Sequence, residues 1–216
     1  MEKKYLFFDI DGTLTDRSTG EIVPSAREAL TRLEENGHFV AIATGRAHYK
    51  ARKFTDANGF KNMVCCGGNG CVIDNELVEN IPLDKGGCIK IIHQAEELGY
   101  GWCVALDDTK DVYMTDDKFL RQVGKRKEPT RYIIDDMLEV EKADAIYKVY
   151  VAIPKEDEEK LTTKELVGHL RFEPEYLMFQ PDNKRGGIIK MMEHLNADIK
   201  DVVVFGDDYK IGRAHV

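Results

Sequence analysis

The sequence predicts an α/β protein with a doubly wound parallel sheet, into which a second, α+β domain is inserted. Short apolar segments alternate with amphipathic helical segments over the first third of the chain, and the same alternation returns after Pro181. Between these regions the pattern changes to closely spaced short strands, which indicates an insertion. We therefore expect residues 1–81 and 181–216 to form the core, and residues 82–180 to form the inserted domain.

Apolar runs and helix-boundary residues define the core elements. Tyr5–Phe8 is a continuous apolar run, which is typical of a strand that is buried on both faces of a parallel sheet. Pro24 begins a predicted helix and Gly37 ends it, because proline suits the first turn of a helix and glycine suits its end. The other core elements are expected as strands over 38–43, 63–66, 72–73, 77–78 and 202–205 and as helices over 47–58 and 186–196.

The inserted region has its own pattern. Apolar residues at helical spacing predict a helix that ends at Gly99, and two short strands around residues 107–110 predict a hairpin. An acidic segment from Lys155 is expected to be helical. The remaining predicted strands cover 132–134, 145–153, 170–172 and 176–179. Such an order of elements favours an α+β domain with antiparallel strands.

Charge and composition exclude several classes of function. The 216 residues contain 31 Lys+Arg and 39 Asp+Glu, which gives a net charge of −8, and 43% of them are hydrophobic. This composition is that of a globular protein. A net negative chain argues against nucleic acid as the main partner, because a phosphate backbone requires clustered positive charge. A small phosphorylated substrate stays possible, since it needs positive potential in one cleft only.

The cysteines and the apolar runs indicate a location. The five cysteines are odd in number and form no C-x-x-C pair, so we expect neither a disulfide framework nor a zinc site. No apolar run is long enough for a signal peptide or a membrane span. We expect a cytoplasmic protein with no membrane partner. The sequence does not indicate an oligomeric state.

Polar clusters follow three of the predicted core strands. These clusters are Asp9-Ile10-Asp11-Gly12-Thr13, Thr44-Gly45-Arg46 and Gly206-Asp207-Asp208. In an open α/β sheet, ligands bind beyond the carboxyl ends of the strands, and Lys184 precedes a helix that could present positive charge there. Neighbouring carboxylates repel one another unless a cation lies between them, and oxygen ligands suit Mg²⁺. A hydroxyl, amide N–H groups and a lysine beside such a metal would bind a phosphoryl group.

These motifs resemble those of the haloacid dehalogenase (HAD) superfamily, whose core is Rossmann-like. Residues 7–14 resemble its first motif, residues 43–46 its second, Lys184 its third and residues 206–209 its fourth. The insertion after the second motif, together with Asn69-Gly70, resembles the Cof-type, IIB subgroup of sugar- and nucleotide-phosphate phosphatases. The resemblance covers essentially all of residues 1–209.

The resemblance implies roles for individual residues. Asp9 would be the nucleophile that forms an aspartyl-phosphate, and Asp11 would be the general acid and then the general base. The residues that it assigns to binding the transferring phosphoryl group are Thr44, Gly45, Arg46 and Lys184. The Mg²⁺ ligands that it assigns are Asp9, the backbone carbonyl of Asp11, and Asp207.

The expected function is therefore that of a Mg²⁺-dependent phosphatase acting on a small phosphorylated metabolite, either a sugar phosphate or a nucleotide-like ester. Two alternatives remain open: a phosphotransferase or mutase of the same superfamily, and a truncated, non-catalytic phosphate-binding fragment. A phospho-accepting signalling domain is disfavoured, because it has no use for a second acid beside its nucleophile or for an inserted cap.

The fourth motif departs from the family pattern. Lys210 and Ile211 stand where the family usually has Asn-Asp. Residues 211–216 also correspond to one reading frame of ATC GGA AGA GCA CAC GTC, which matches the start of a common sequencing adapter. We therefore expect the core to be incomplete at its C-terminus, with residues 211–216 derived from the adapter.

Overall fold

Residues 2–16, 18–126 and 130–206 are described in a computed structural model of the chain. Their strands are β1 (Tyr5–Phe8), β2 (Phe39–Ala43), β3 (Met63–Cys65), β4 (Gly70–Ile73), β5 (Glu76–Asn80), β6 (Trp102–Ala105), β7 (Asp111–Met114), β8 (Arg131–Ile134), β9 (Lys148–Val151), β10 (His169–Glu173), β11 (Tyr176–Phe179) and β12 (Val202–Phe205). Their α-helices are α1 (Pro24–Glu35), α2 (His48–Asn58), α3 (Lys85–Glu97), α4 (Lys118–Val123) and α5 (Lys184–His194).

The chain divides into two units. One consists of the residues up to Asn80 together with those from Asn183 onward, and the other consists of Ile81–Asp182. In the first unit the strand order is β12-β1-β2-β3-β4-β5. The pairs from β12 to β3 are parallel, and β4 and β5 continue the sheet as an antiparallel hairpin.

Helices cover both faces of this sheet, because successive strand residues point to opposite faces. On one face, Leu6 and Phe8 belong to an apolar cluster that includes residues of α1 and α2. On the other face, Phe7 belongs to a cluster that includes Ile188 and Met191 of α5. The predicted doubly wound α/β fold is confirmed.

The parallel register places the carboxyl ends of three strands together. Phe8, the last residue of β1, pairs with Phe205 of β12 and with Ile42 of β2. Directly after β1, the Asp9 backbone N–H donates to the Phe205 carbonyl at 2.9 Å. Directly after β2, the Thr44 N–H donates to the Val64 carbonyl at 2.9 Å. The residues that follow β1 and β2 are therefore held at one edge of the sheet.

The second unit is a sheet of order β10-β11-β9-β6-β7-β8. Its pairs are antiparallel, as predicted, except that β7 and β8 run parallel. The acidic segment Lys155–Lys160 is a 3₁₀ helix with no buried residue, so it lacks the apolar face that would stabilise a longer α-helix. The short helix α4, which the sequence pattern did not predict, buries Phe119.

Some predictions fall on residues outside the described part of the chain. Asp207 is one of them, and the segment 211–216, expected to derive from an adapter, is another. Among the described residues, none of the helices combines the length and the apolar character that a membrane span requires.

Candidate active site

A buried ion pair joins the end of β1 to the start of α5. Asp9 is only 7% exposed, and the Lys184 Nζ donates to its Oδ1 at 2.7 Å. A carboxylate removed from water in this way is costly unless a positive group lies beside it. The lysine ammonium offsets that cost, so the arrangement keeps a carboxylate and a cation in contact at the carboxyl edge of the sheet.

A turn after β3 fixes where α5 begins. Gly68 has a φ of +112°, and a Cβ atom placed on it would lie 2.1 Å from the Asn183 carbonyl oxygen. The Asn183 N–H donates to the Gly67 carbonyl at 2.7 Å, and the Asn183 side chain accepts from the Gly186 N–H at 2.9 Å. Asn183 thus caps the helix while it is held by the turn. The Lys184 side chain is positioned as a result.

The residues after β2 are held by their own hydrogen bonds. Thr44 is 1% exposed, and its Oγ1 accepts from the Arg46 N–H at 3.1 Å. On the other side, the Cys66 N–H donates to the Arg46 carbonyl at 2.8 Å. Gly45 lies between the two anchored residues. The second motif therefore has a fixed backbone beside the end of β1.

Arg46 contacts Asp11 through two hydrogen bonds. Its Nε donates to Asp11 Oδ2 at 3.1 Å, and its Nη2 donates to Oδ1 at 2.5 Å. The guanidinium carbon also lies 5.8 Å from the centre of the Phe54 ring. The Asp11 side chain is 66% exposed, on the turn that follows β1. The family resemblance assigns Arg46 to substrate, and it does not anticipate the contact with Asp11.

Thr13 and Asn183 are site residues to which the sequence motifs assign no role. The Oγ1 of Thr13 is buried and has no hydrogen-bond partner within the described residues. A buried hydroxyl without a partner costs about 1–3 kcal/mol, so this atom is suited to bond a ligand at the same turn. The only signals in the sequence were the place of Thr13 in the first motif and the place of Asn183 before Lys184.

The oxygen atoms that Asp9 and Asp11 offer are of the kind that a hard divalent cation binds. Asp9 offers a carboxylate and Asp11 offers a backbone carbonyl, and oxygen atoms of this type are what Mg²⁺ prefers. The third predicted ligand, Asp207, is outside the described residues. Within those residues, no group of three or more His, Cys, Asp or Glu side chains is arranged to hold a metal ion.

Comparison with known proteins identifies the family. The model of the haloacid dehalogenase-like hydrolase family matches residues 6–210. The chain therefore belongs to this family, and the predicted membership of its Cof-type subgroup is confirmed. The predicted class of enzyme, a hydrolase of the phosphatase type, is confirmed as well.

The chain is also similar to individual curated proteins and to a solved structure. The chain is 28% identical over 210 residues to a protein of Bacillus subtilis (strain 168) named "Putative phosphatase YkrA", covering 96% of this chain and 80% of that protein. It is 26% identical over 231 residues to pyridoxal phosphate phosphatase YbhA of Escherichia coli (strain K12), covering 97% and 83%. Its fold is similar to that of the HAD subclass IIB sugar phosphatase BT4131, with a TM-score of 0.70, 21% identity and coverage of 96% and 82%.

Proposed function

We propose that this protein is a Mg²⁺-dependent phosphomonoesterase that works through an aspartyl-phosphate on Asp9. The observation that carries the proposal is the buried pair of Asp9 with Lys184, at the edge of the sheet where α/β enzymes bind ligands. A carboxylate in contact with a lysine can attack phosphorus while the lysine neutralises the oxygens of the transferring group.

The proposed reaction has two steps. A carboxylate oxygen of Asp9 forms a bond to phosphorus while the ester P–O bond breaks, and Asp11 gives its proton to the leaving oxygen. Asp11 then takes a proton from a water molecule that attacks the aspartyl-phosphate. The P–O bond to Asp9 breaks, inorganic phosphate leaves, and the Asp9 carboxylate is restored.

The other residues of the site would bind the phosphoryl group and neutralise its charge. Lys184 would contact the transferring oxygens, together with the Thr44 hydroxyl and the backbone at Gly45. A Mg²⁺ ion would be held by Asp9, the Asp11 carbonyl and Asp207. When bound, it would neutralise part of the charge of the phosphoryl group.

The proposed substrate is a small phosphorylated metabolite in the cytoplasm. The curated relatives are named as phosphatases, one of them for pyridoxal phosphate, and a structure with the same fold is a sugar phosphatase. The five cysteines all lie in the described residues and none of them forms a disulfide, as a reducing compartment would keep them. We assign the choice among substrates to the inserted unit Ile81–Asp182, which the family resemblance marks as a cap.

The test is a panel of phosphate esters with Mg²⁺ or with chelator, scored by the release of inorganic phosphate. The panel contains sugar phosphates, a nucleoside monophosphate and pyridoxal phosphate. We expect turnover that requires Mg²⁺ and is abolished by Asp9→Asn. Asp74→Asn is the matched control, because Asp74 is an exposed acid in the turn between β4 and β5. Turnover that survives Asp9→Asn, or that is indifferent to chelator, would contradict the proposal.

A further inference from the structure

The guanidinium of Arg46 lies against the carboxylate of Asp11. It makes two hydrogen bonds to that carboxylate, one from Nε and one from Nη2. Within the part of the chain that the structure describes, no other residue donates a hydrogen bond to that carboxylate. The arginine is therefore the one group seen to decide where the Asp11 side chain points.

The backbone of Arg46 is anchored on both sides and its side chain is mostly covered, whereas the side chain of Asp11 is mostly exposed. The backbone of Arg46 is anchored at its N–H by the Thr44 hydroxyl and at its carbonyl by the Cys66 N–H. Its side chain is 27% exposed and lies against Phe54. The Asp11 side chain, in contrast, is 66% exposed on a turn. The arginine therefore has the more buried side chain of the pair.

We propose that Arg46 is a positioning residue for Asp11, and that it acts on the reaction through that carboxylate. This inference rests on the proposed function. A two-pronged guanidinium–carboxylate contact restricts the side-chain rotation of Asp11, while each of its oxygens keeps a further lone pair that can hold the proton passed to the leaving oxygen. Without the arginine, Asp11 would have to be ordered during each turnover, at a cost in side-chain entropy.

Two substrates with different leaving groups can show whether Arg46 positions Asp11 or binds the substrate. An alkyl phosphate has a poor leaving oxygen that must be protonated as it departs, whereas the nitrophenolate of p-nitrophenyl phosphate leaves without a proton. A residue that serves Asp11 should therefore matter for the first ester and little for the second. A residue that binds the phosphoryl group should matter equally for both, since both carry the same group.

The experiment measures kcat/KM of Arg46→Gln and Arg46→Lys on glycerol phosphate and on p-nitrophenyl phosphate. For Arg46→Gln we expect a loss of about 100-fold on the alkyl ester and less than about five-fold on the aryl ester, as for a lost general acid. Arg46→Lys should recover little of the lost kcat/KM, because an ammonium group cannot make the two parallel hydrogen bonds that a planar guanidinium makes to a carboxylate. Asp11→Asn should likewise lose much more kcat/KM on the alkyl ester than on the aryl ester. The double variant should lose no more kcat/KM than Asp11→Asn alone. Equal losses on both esters would overturn the proposal.

A matched control and a second measurement complete the test. Arg52→Gln, further along α2, removes an arginine that pairs with Asp56 and should leave both values of kcat/KM unchanged. Thermal unfolding of Asp11→Asn, Arg46→Gln and the double variant needs no activity. We expect the loss in Tm of the double variant to be smaller than the sum of the two single losses. Additive losses would overturn the pairing, whereas a wild type that hydrolyses no ester would contradict only the proposed function.

Discussion

Lys184 Nζ lies 2.7 Å from Asp9 Oδ1, although the two residues are 175 positions apart in the chain. The contact forms because α5 packs on the face of the sheet that holds Phe7, so its first residue reaches the end of β1. The candidate site is therefore complete only when the chain has returned from the inserted unit. Any change that moves the start of α5 should act on the site.

Replacing Lys184 with Met tests the buried pair. The substitution leaves the Asp9 carboxylate, whose side chain is only 10% exposed, without the Lys184 ammonium. With chelator present, so that no metal replaces the lysine, we expect the free energy of unfolding to fall by about 3–5 kcal/mol. Urea denaturation measures this loss. Lys190→Met, which removes an exposed partner of Glu79, should cost about 0–1 kcal/mol.

The double variant Asp9→Asn/Lys184→Met separates a charge effect from a packing effect. It removes the buried charge together with its partner, so most of the stability lost in Lys184→Met should return. A double variant that is as unstable as the sum of the two single variants would mean that the pair does not carry the energy assigned to it.

Gly68→Ala tests how α5 is placed. The new Cβ would lie 2.1 Å from the Asn183 carbonyl oxygen, so the turn or the helix start must shift. We expect at least a ten-fold loss of kcat/KM, because a 1 Å misplacement can cost about 100-fold. The control is Gly20→Ala, since Gly20 also has a positive φ, +72°, but nothing lies within 4 Å of its added Cβ. Equal effects of the two substitutions would show that backbone strain, and not this contact, is responsible.

The sequence was informative about the core because its signals are local. A strand buried on both faces must be a continuous apolar run, and Tyr5–Phe8 is such a run. The polar residues of the site come directly after β1 and β2, so the ends of the apolar runs locate them in the sequence. The parallel order of the strands then requires those residues to lie at one edge, so Asp9 and Thr44 could be assigned to one region from the amino-acid pattern alone.

The sequence was less informative about contacts that depend on the direction of a side chain. Arg46 follows Thr44 and Gly45 in a motif that suggests phosphate binding, yet its guanidinium contacts Asp11 from another strand end. No local pattern encodes such a contact, since it depends on the register of β1 and β2. Similarly, the run Lys155–Lys160 has helical composition but buries nothing, so it forms only a 3₁₀ helix.

The buried cysteines should react slowly. Burial raises the pKa of Cys71 to about 11, and of Cys88 and Cys103 to about 12 each. The thiolate is the reactive form, and at pH 8 it makes up about 1 in 1,000 or less of such groups. With a thiol reagent at pH 8, we expect fast labelling only at the partly exposed Cys66 in native protein, and labelling of all five cysteines in urea. Cys66→Ser should remove the fast phase, and two or more fast thiols would contradict the burial described.

The Asp111–Arg131 pair should make the inserted unit sensitive to acid. Arg131 hydrogen-bonds to both oxygens of the nearly buried Asp111, across the parallel strands β7 and β8, and this lowers the pKa of the carboxyl. A carboxyl with a lowered pKa stabilises the folded state above its ordinary pKa, and this stability is lost as the pH falls through the lowered value. Asp111→Asn should therefore lower the urea midpoint by a constant amount from pH 8 to pH 5.

Below about pH 4 this difference between wild type and Asp111→Asn should shrink, because the wild-type carboxyl then becomes protonated as well. Urea titrations followed by the fluorescence of Trp102, which is buried in the same unit, report the midpoint at each pH. Asp117→Asn is the control: its partner Arg121 lies one helical turn away at 2.9 Å, both side chains are at least half exposed, and screening by water should leave little effect at any pH. A difference for Asp111→Asn that persists undiminished to pH 2 would show that the shape of the side chain, and not its charge, stabilises this strand pair.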